Sequence, residues 1–599
     1  MYPAVYYVDR STGTSADTLL AFGLADVIAR LIPEDQDWEL GIEATESGYR
    51  INMKEGLPAS WVDHASFFSS LQGLKTAKKE PELPAALVVD YVEHKQRNDA
   101  YFEAVRKKAT ADVLKEQGLE PPHPNWSVWA VINQMSAAGA LNDLVVTWYA
   151  HRDCFPTLLR LLLQLYCVQP NPLAEVEVAW KVMAKAHKVE ARAEIPMLQV
   201  TNPGMGKGNN RSKAAYSQPN GLQGFWLPEY LKYGGLLQAA IVRTVSGSKD
   251  RKTYVVRPQN LTWATHRKVF PEFQKSLWPQ SAIKMDVLAA LRYARVFVEQ
   301  WRDGLAEGRL ARLRSGRPGD HVAGLETIFY KYLGSAYATL NLSTLALPQW
   351  LRQIDTREDA AQYLSLLEEH DKVVRSLNMD AKGKEKEKGD ENALLQEYRY
   401  FLSAGDLRAF LRFAQGYSTV LMRRLGARVY VPQFTLANLE VLIMAHNDKL
   451  IPILRNAGFQ RVAKAIRQST VTPQYFKAKG EAGPYEVRYG LGTELMRQAA
   501  DRDKFVQALS KFLQAYSQET GQINERYKGT PPVRRVNIST KDVDQLIALI
   551  DEYDPETVGG LLVAYGYARE AKVDELAEPG AEATPELADA SNMDDSQDE

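Results

Sequence analysis

The segment Gly204-Met205-Gly206-Lys207-Gly208 has the glycines and the lysine of a phosphate-cradling loop. A Walker A hydrolase also needs Ser or Thr directly after its Gly-Lys pair to ligate magnesium, and Gly208 stands there instead. Nor do Gly204, Gly206 and Asn209 complete a dinucleotide fingerprint. His370-Asp371 is an HD pair, which a nuclease of that type combines with further His and Asp ligands to hold water-activating metal ions. Its setting, Leu366 to Lys372, is a charged stretch and reads as a solvated helix face. His151 and Cys154 have a ligand-like gap, but beside the apolar run Phe155 to Val168 they read as a surface histidine and a packed cysteine. The two cysteines, Cys154 and Cys167, lack the paired spacing of zinc sites, and no G-x-S-x-G elbow is present. No catalytic residue, metal or cofactor is expected.

Polyanion binding is the chemistry that the residue types do suggest. The loop Asn202 to Lys213 joins glycines, whose amides approach phosphates closely, to Lys207, Arg211 and Lys213, while Asn209 and Asn210 suit base edges. Asn133, Gln134, Ser136, Gly139 and Asn142 interrupt an apolar helical region with hydrogen-bonding groups, which read either as groove contacts or as helix breakers. Lys249, Arg251 and Lys252 lie on or beside a turn. Further on, Arg408, Arg412, Gln415, Thr419 and Arg423 fall at steps of three or four, and Arg461, Lys464 and Arg467 repeat the theme. Tyr475-Phe476-Lys477-Ala478-Lys479-Gly480 mixes aromatics with cations in an expected loop, as in grips on single strands. For each group taken alone, a solvated face is the competing reading.

Charge distribution strengthens the binding reading. The 599 residues carry a net charge of −1, but Asp574 to Glu599 holds ten acidic and no basic residues, leaving +9 on the remainder. Glu175 to Lys284 is net +10 and Gly405 to Arg535 net +11. Two cationic territories of this size attract polyanions, nucleic acid foremost.

The elements that must carry these residues are of two kinds. Ala4 to Val8 reads as a strand and Ser15 to Leu31 as a helix behind a Thr/Ser start, while Trp38 to Met53 alternates around Glu46-Ser47-Gly48 as a hairpin. Ala85 to Lys108 and Trp126 to Leu165 read as mainly helical, and Ile195 to Val200 as a strand. Leu237 to Val245 and Lys252 to Arg257 flank a Ser/Gly turn as a second hairpin. Helices resume over Met285 to Trp301 and Thr356 to Ser376. The run Lys382 to Glu391 has no apolar residue to repay ordering and reads as a linker. The expected fold class is α+β, with a mixed α/β region over 1–376, a linker over 377–391, a helical bundle over 392–570 and a disordered acidic tail over 571–599. Met1 to Arg10 carries Asp9 with no apolar run behind it, so neither a secretory signal nor a membrane role is expected, and the location expected is cytoplasmic.

Phe459 to Val471, followed by Tyr485-Glu486-Val487-Arg488-Tyr489-Gly490-Leu491, resembles the small-subunit helical domain of type I CRISPR Cascade complexes, and Leu561 to Ala568 resembles the end of such domains. Tyr7-Val8-Asp9-Arg10-Ser11-Thr12-Gly13-Thr14 and Gly224-Phe225-Trp226-Leu227-Pro228-Glu229-Tyr230-Leu231 resemble the large subunit of the I-A/I-B-like group that includes the Myxococcus-type variant. The resemblance implies a non-enzymatic subunit beside the 5′ handle of the CRISPR RNA. It implies reading of the short motif (PAM) flanking the target double-stranded DNA, and stabilisation of the opened R-loop in antiviral defence or RNA-guided transposition. Its implied partners are the Cascade backbone and handle-binding subunits, with a helicase-nuclease or transposition proteins acting afterwards. The roles carried over are motif reading for Asn133, Gln134, Asn142, Asn209 and Asn210, and backbone contact for Lys207, Arg211, Lys213, Lys249, Arg251 and Lys252. The displaced strand is assigned to Arg408, Arg412, Arg461, Lys464, Arg467, Lys477 and Lys479. The alternatives are a helical protein–protein adaptor and a divergent HD-type nuclease. A separate small subunit translated from Met379 is a further expectation.

Overall fold

In the computed structural model the described residues are 1–36, 38–205, 223–306, 316–334, 336–380, 385–386, 388–481, 483–529, 531 and 533–570. The loop positions Lys207, Asn209, Asn210, Arg211 and Lys213 and the acidic tail therefore lie outside them. The fold is α+β. Its strands are β1 (Val5–Asp9), β2 (Leu40–Ala44), β3 (Gly48–Met53), β4 (Gly73–Lys75), β5 (Val88–Asp90), β6 (Glu194–Pro196), β7 (Gln223–Phe225), β8 (Ala240–Thr244), β9 (Arg251–Pro258), β10 (Asn260–Thr262), β11 (Val322–Tyr332) and β12 (Tyr337–Leu345). The chain divides into two compact units: residues Met1–Ala282 with Gly319–Ala346, and residues Ile283–Pro318 with Leu347 onward.

Among the described residues the first unit holds every strand, including two four-stranded antiparallel sheets, ordered β1-β3-β2-β10 and β12-β11-β9-β8. The expected hairpin around Ser47 is β2–β3, and the expected pair around Ser246 to Asp250 is β8–β9. Helix Ser15–Leu31 starts where its cap predicts: the Thr14 hydroxyl accepts from the Ala16 amide, and Asp17 accepts from the Thr12 and Gly13 amides. Its Gly23 lies against Leu231, and Gly235 of helix Trp226–Ala239 lies against Leu19. A Cβ at either glycine would come within 1.8 Å of a backbone carbonyl oxygen. The two helices thus cross backbone to backbone, which only glycine permits at those two points.

The second unit is helical. Helix Arg502–Arg526 buries Phe505, Leu509, Phe512, Leu513 and Tyr516, the stripe its spacing predicts. The unit begins earlier than the sequence boundary at 392, because helices Ala282–Ala306 and Arg357–Ser376 supply part of its core. His370 stacks on Phe410 at 5.6 Å, Trp350 stacks on Phe401, and Arg399 pairs with Asp286 at 3.1 Å. The expected linker is also anchored at its end. Glu391 is fully buried, with carboxylate contacts from Arg423, Arg424 and Lys388 and a hydrogen bond from the Asn378 amide. Charge pairing does there what apolar burial does elsewhere. No helix among the described residues is long and apolar enough to cross a membrane.

Candidate nucleic-acid interface

In the first unit, helix Trp126–Gln134 stops ahead of Ser136, whose φ of +58° is left-handed. That places Gln134 beside β9, where its side-chain oxygen accepts from the Arg251 guanidinium. Arg251 also donates to the Tyr337 hydroxyl at 3.1 Å and the Thr244 hydroxyl at 3.2 Å. The fold therefore unites an amide and a cation that stand 117 residues apart. Beside them Asp250 accepts from the Lys331 ammonium at 2.8 Å and the Tyr332 amide at 2.9 Å, so the β8–β9 turn is tied to the end of β11. Lys249 is exposed at this turn with its ammonium 5.5 Å from the Tyr332 ring centre.

Several expected contacts are structural instead. Arg251 and Lys252 are buried, Lys252 donating to the Ala282 carbonyl at 3.1 Å, so Lys249 is the solvent-facing cation of the three. Asn142 is buried and satisfies both backbone groups of Leu74, accepting from its N–H at 2.7 Å and donating to its C=O at 3.0 Å. Such a side chain offers nothing to a base edge. Asn133 is half-buried and makes no side-chain hydrogen bond among the described residues. The loop that begins at Asn202 is rooted in a buried triad: the Asn202 amide donates to Glu229 at 2.8 Å, and Lys232 donates to Asn202 at 2.7 Å and Glu229 at 2.6 Å. Glu229 and Lys232 were legible only as a charged pair three residues apart within an apolar helix.

The chemistry-bearing pairs set aside on sequence grounds are more buried than their settings suggest. His370 and Asp371 do not face solvent. Burial lowers the His370 pKa to about 3, its ring contacts the Tyr398 hydroxyl, and Asp371 lies 2.6 Å from Arg292 and 2.7 Å from Arg375. Burial opposes ionisation of Asp371, but the two guanidiniums prevail and hold its carboxyl below the usual range. His151 is likewise buried rather than on the surface, donating to the Thr147 carbonyl and accepting from the Trp180 indole, with burial lowering its pKa. Among the described residues no group of three or more His, Cys, Asp or Glu is placed to hold a metal ion.

In the second unit most cations of the expected strand path have carboxylate partners. Arg408 faces Glu556 at 3.9 Å, Arg412 Glu397 at 3.1 Å, Arg461 Asp542 at 3.1 Å, and Lys464 and Arg467 share Glu570 at 3.9 and 3.6 Å. The exposed pairs of Arg408, Arg412 and Lys464 contribute at most about 1 kcal/mol each and are exchangeable, whereas Arg461 holds a buried carboxylate and Arg467 is itself largely buried and donates to the Tyr565 carbonyl at 2.9 Å, so these two are structural. Lys477 and Lys479 differ. The segment Tyr475 to Lys479, expected as a loop, is the end of helix Val471–Lys479, which Gly480 terminates in a left-handed conformation with φ +80°. Neither lysine has a carboxylate within ion-pair distance among the described residues. Their ammonium groups instead lie over tyrosine rings, Lys477 5.9 Å from Tyr489 and Lys479 4.6 Å from Tyr475.

Tyr489 was not a site residue on sequence grounds, because ten or more residues separate it from both lysines. A clamp holds its segment in place. The Arg488 amide donates to the Ser469 carbonyl at 2.8 Å, and Arg488 and Arg535 converge on Glu519 at 3.2 and 2.7 Å. Against burial, which pushes it up, hydrogen bonds from Arg535, the Glu486 amide and Arg488 hold the Glu519 carboxyl below its usual range. No family model matches the chain, and a search of curated proteins finds no match.

Proposed function

We propose that this chain is a non-catalytic nucleic-acid-binding subunit of an RNA-guided CRISPR Cascade complex, which reads the motif flanking the target and stabilises the R-loop. The observation that carries this reading is that each unit presents solvent-facing lysines over tyrosine rings with no carboxylate within ion-pair distance among the described residues, Lys249 in the first and Lys477 and Lys479 in the second. Phosphate contacts position a nucleic acid while amides and rings engage its bases. Motif reading falls to Asn133 and Gln134, with Asn209 and Asn210, and the guide's base pairing supplies sequence specificity. The partners are the CRISPR RNA, target duplex, and Cascade backbone and handle-binding subunits; a helicase-nuclease or transposition proteins act on the opened target.

The test is binding of the assembled complex to duplexes with randomised flanks. Alanine at Asn133, Gln134, Asn209 and Asn210 should flatten flank preference while general affinity changes little. An unchanged preference would place the reader on other residues.

A further inference from the structure

We infer that the end of helix Val471–Lys479 and the turn at Tyr489 form a stacking site for unpaired nucleotides, in which each lysine now covering a ring moves to a phosphate when a base takes its place. This rests on the nucleic-acid reading for the class of ligand, though not on the RNA-guided complex. Tyr475 and Tyr489 are 48% and 59% exposed, so a large part of each side chain lies open to solvent. Tyr489 is also fixed: its hydroxyl donates to the Gln474 side-chain oxygen at 2.7 Å, and Gln474 is buried with its amide nitrogen against Gly426. An exposed ring whose far end is anchored in buried structure is a preorganised platform rather than a loose surface side chain.

The lysines complete the device. An ammonium over an exposed ring gains less than a stacked base does, so a base displaces it. The freed ammonium, which has no carboxylate within ion-pair distance among the described residues, is left beside the phosphate of the stacked nucleotide. Glu481, just past Gly480, is exposed and is the carboxylate nearest in sequence to the two lysines. A duplex keeps its base faces internal and would use the lysines alone, and an acidic peptide would likewise leave the rings idle. Unpaired DNA and unpaired RNA share the chemistry that uses both.

The experiment uses the full chain and labelled oligonucleotides of equal length: oligo-dT, oligo-rU, an abasic strand and a duplex. Tyr475→Leu with Tyr489→Leu should weaken oligo-dT binding about ten- to hundredfold, leave the abasic strand and duplex unchanged, and preserve the salt slope. Lys477→Gln with Lys479→Gln should lower the salt slope by about 0.7 per lysine on single strands, abasic strand included. Equal loss on oligo-rU assigns the site to unpaired strands in general, and loss on oligo-dT alone assigns it to DNA. Wild-type oligo-dT affinity in the tyrosine variant, with an unchanged melting transition, overturns the site, as does an equal loss on the abasic strand. Because no guide RNA is present, failure here leaves the Cascade reading standing. Success here without any guide RNA on the native complex would leave the site standing and remove that reading.

Discussion

Asp371 is held between Arg292 and Arg375 inside the second unit, and the consequence of removing its charge follows from that enclosure. Asp371→Asn removes a buried carboxylate charge that faces two guanidiniums and should cost about 3 kcal/mol of stability, read as a lowered denaturation midpoint. Metal-dependent cleavage of DNA by the purified chain would instead revive the HD nuclease reading. The neighbouring Glu369 titrates in the opposite sense. Burial raises its pKa to about 7, and among the described residues one side-chain oxygen has no hydrogen-bond partner, while the other accepts from the Thr435 amide at 3.0 Å. A carboxyl whose folded pKa is raised favours the fold while neutral. Its contribution is full below the ordinary carboxylate range and is lost as pH rises through about 7. Glu369→Gln keeps an acceptor for Thr435 without the charge, so it should raise the midpoint at pH 8 and leave it little changed at pH 4. Equal effects at both pH values would contradict this account.

Among the elements, the crossing of helices Ser15–Leu31 and Trp226–Ala239 makes the sharpest demand on sequence. Alanine at Gly23 or Gly235 would press a methyl group into a backbone carbonyl and force the helices apart. Either substitution should therefore lower the melting transition of the first unit strongly, whereas Gly247→Ala, at a turn with open space, should cost only the strain of its φ of +72°. A small subunit starting at Met379 fares badly on the same logic. It would lack helices Ala282–Ala306 and Arg357–Ser376 and bare the faces of Phe401 and Phe410 that Trp350 and His370 cover. Such a fragment should melt well below the second unit of the full chain and bind hydrophobic dye.

These elements also show what the sequence made legible. Local signals were strong: Thr14 starts its helix, Thr356 caps helix Arg357–Ser376 through a capping box with Asp359, and the Phe505 to Tyr516 stripe is buried. Contacts distant in sequence were not. Asn142 serves the Leu74 backbone, Gln134 meets Arg251, and Tyr489 meets Lys477, and no periodicity encodes such pairings. Charge misled in one direction, because Asp371 and Glu391 look solvated in sequence yet are buried against opposite charges. Tyr475 to Lys479 misleads in another: its mix of aromatics and cations reads as a loop, while the segment is helical and Gly480 is the helix stop.

For the whole molecule, the account is electrostatic. Removing Asp574 to Glu599 shifts the net charge from −1 to +9. The truncated chain should bind nonspecific duplex more tightly at low salt, with the gain fading as ionic strength rises. An unchanged or lower affinity would show that the tail's charge does not act on the binding surfaces. The assignment to an RNA-guided complex is tested most directly by sequencing the nucleic acid that stays with the full chain when it is purified at moderate salt from cells expressing its native neighbouring genes. The account predicts short RNAs of uniform length sharing one common 5′ sequence followed by variable guide sequence. Heterogeneous cellular RNA, or none, with the chain otherwise intact and folded, would contradict it.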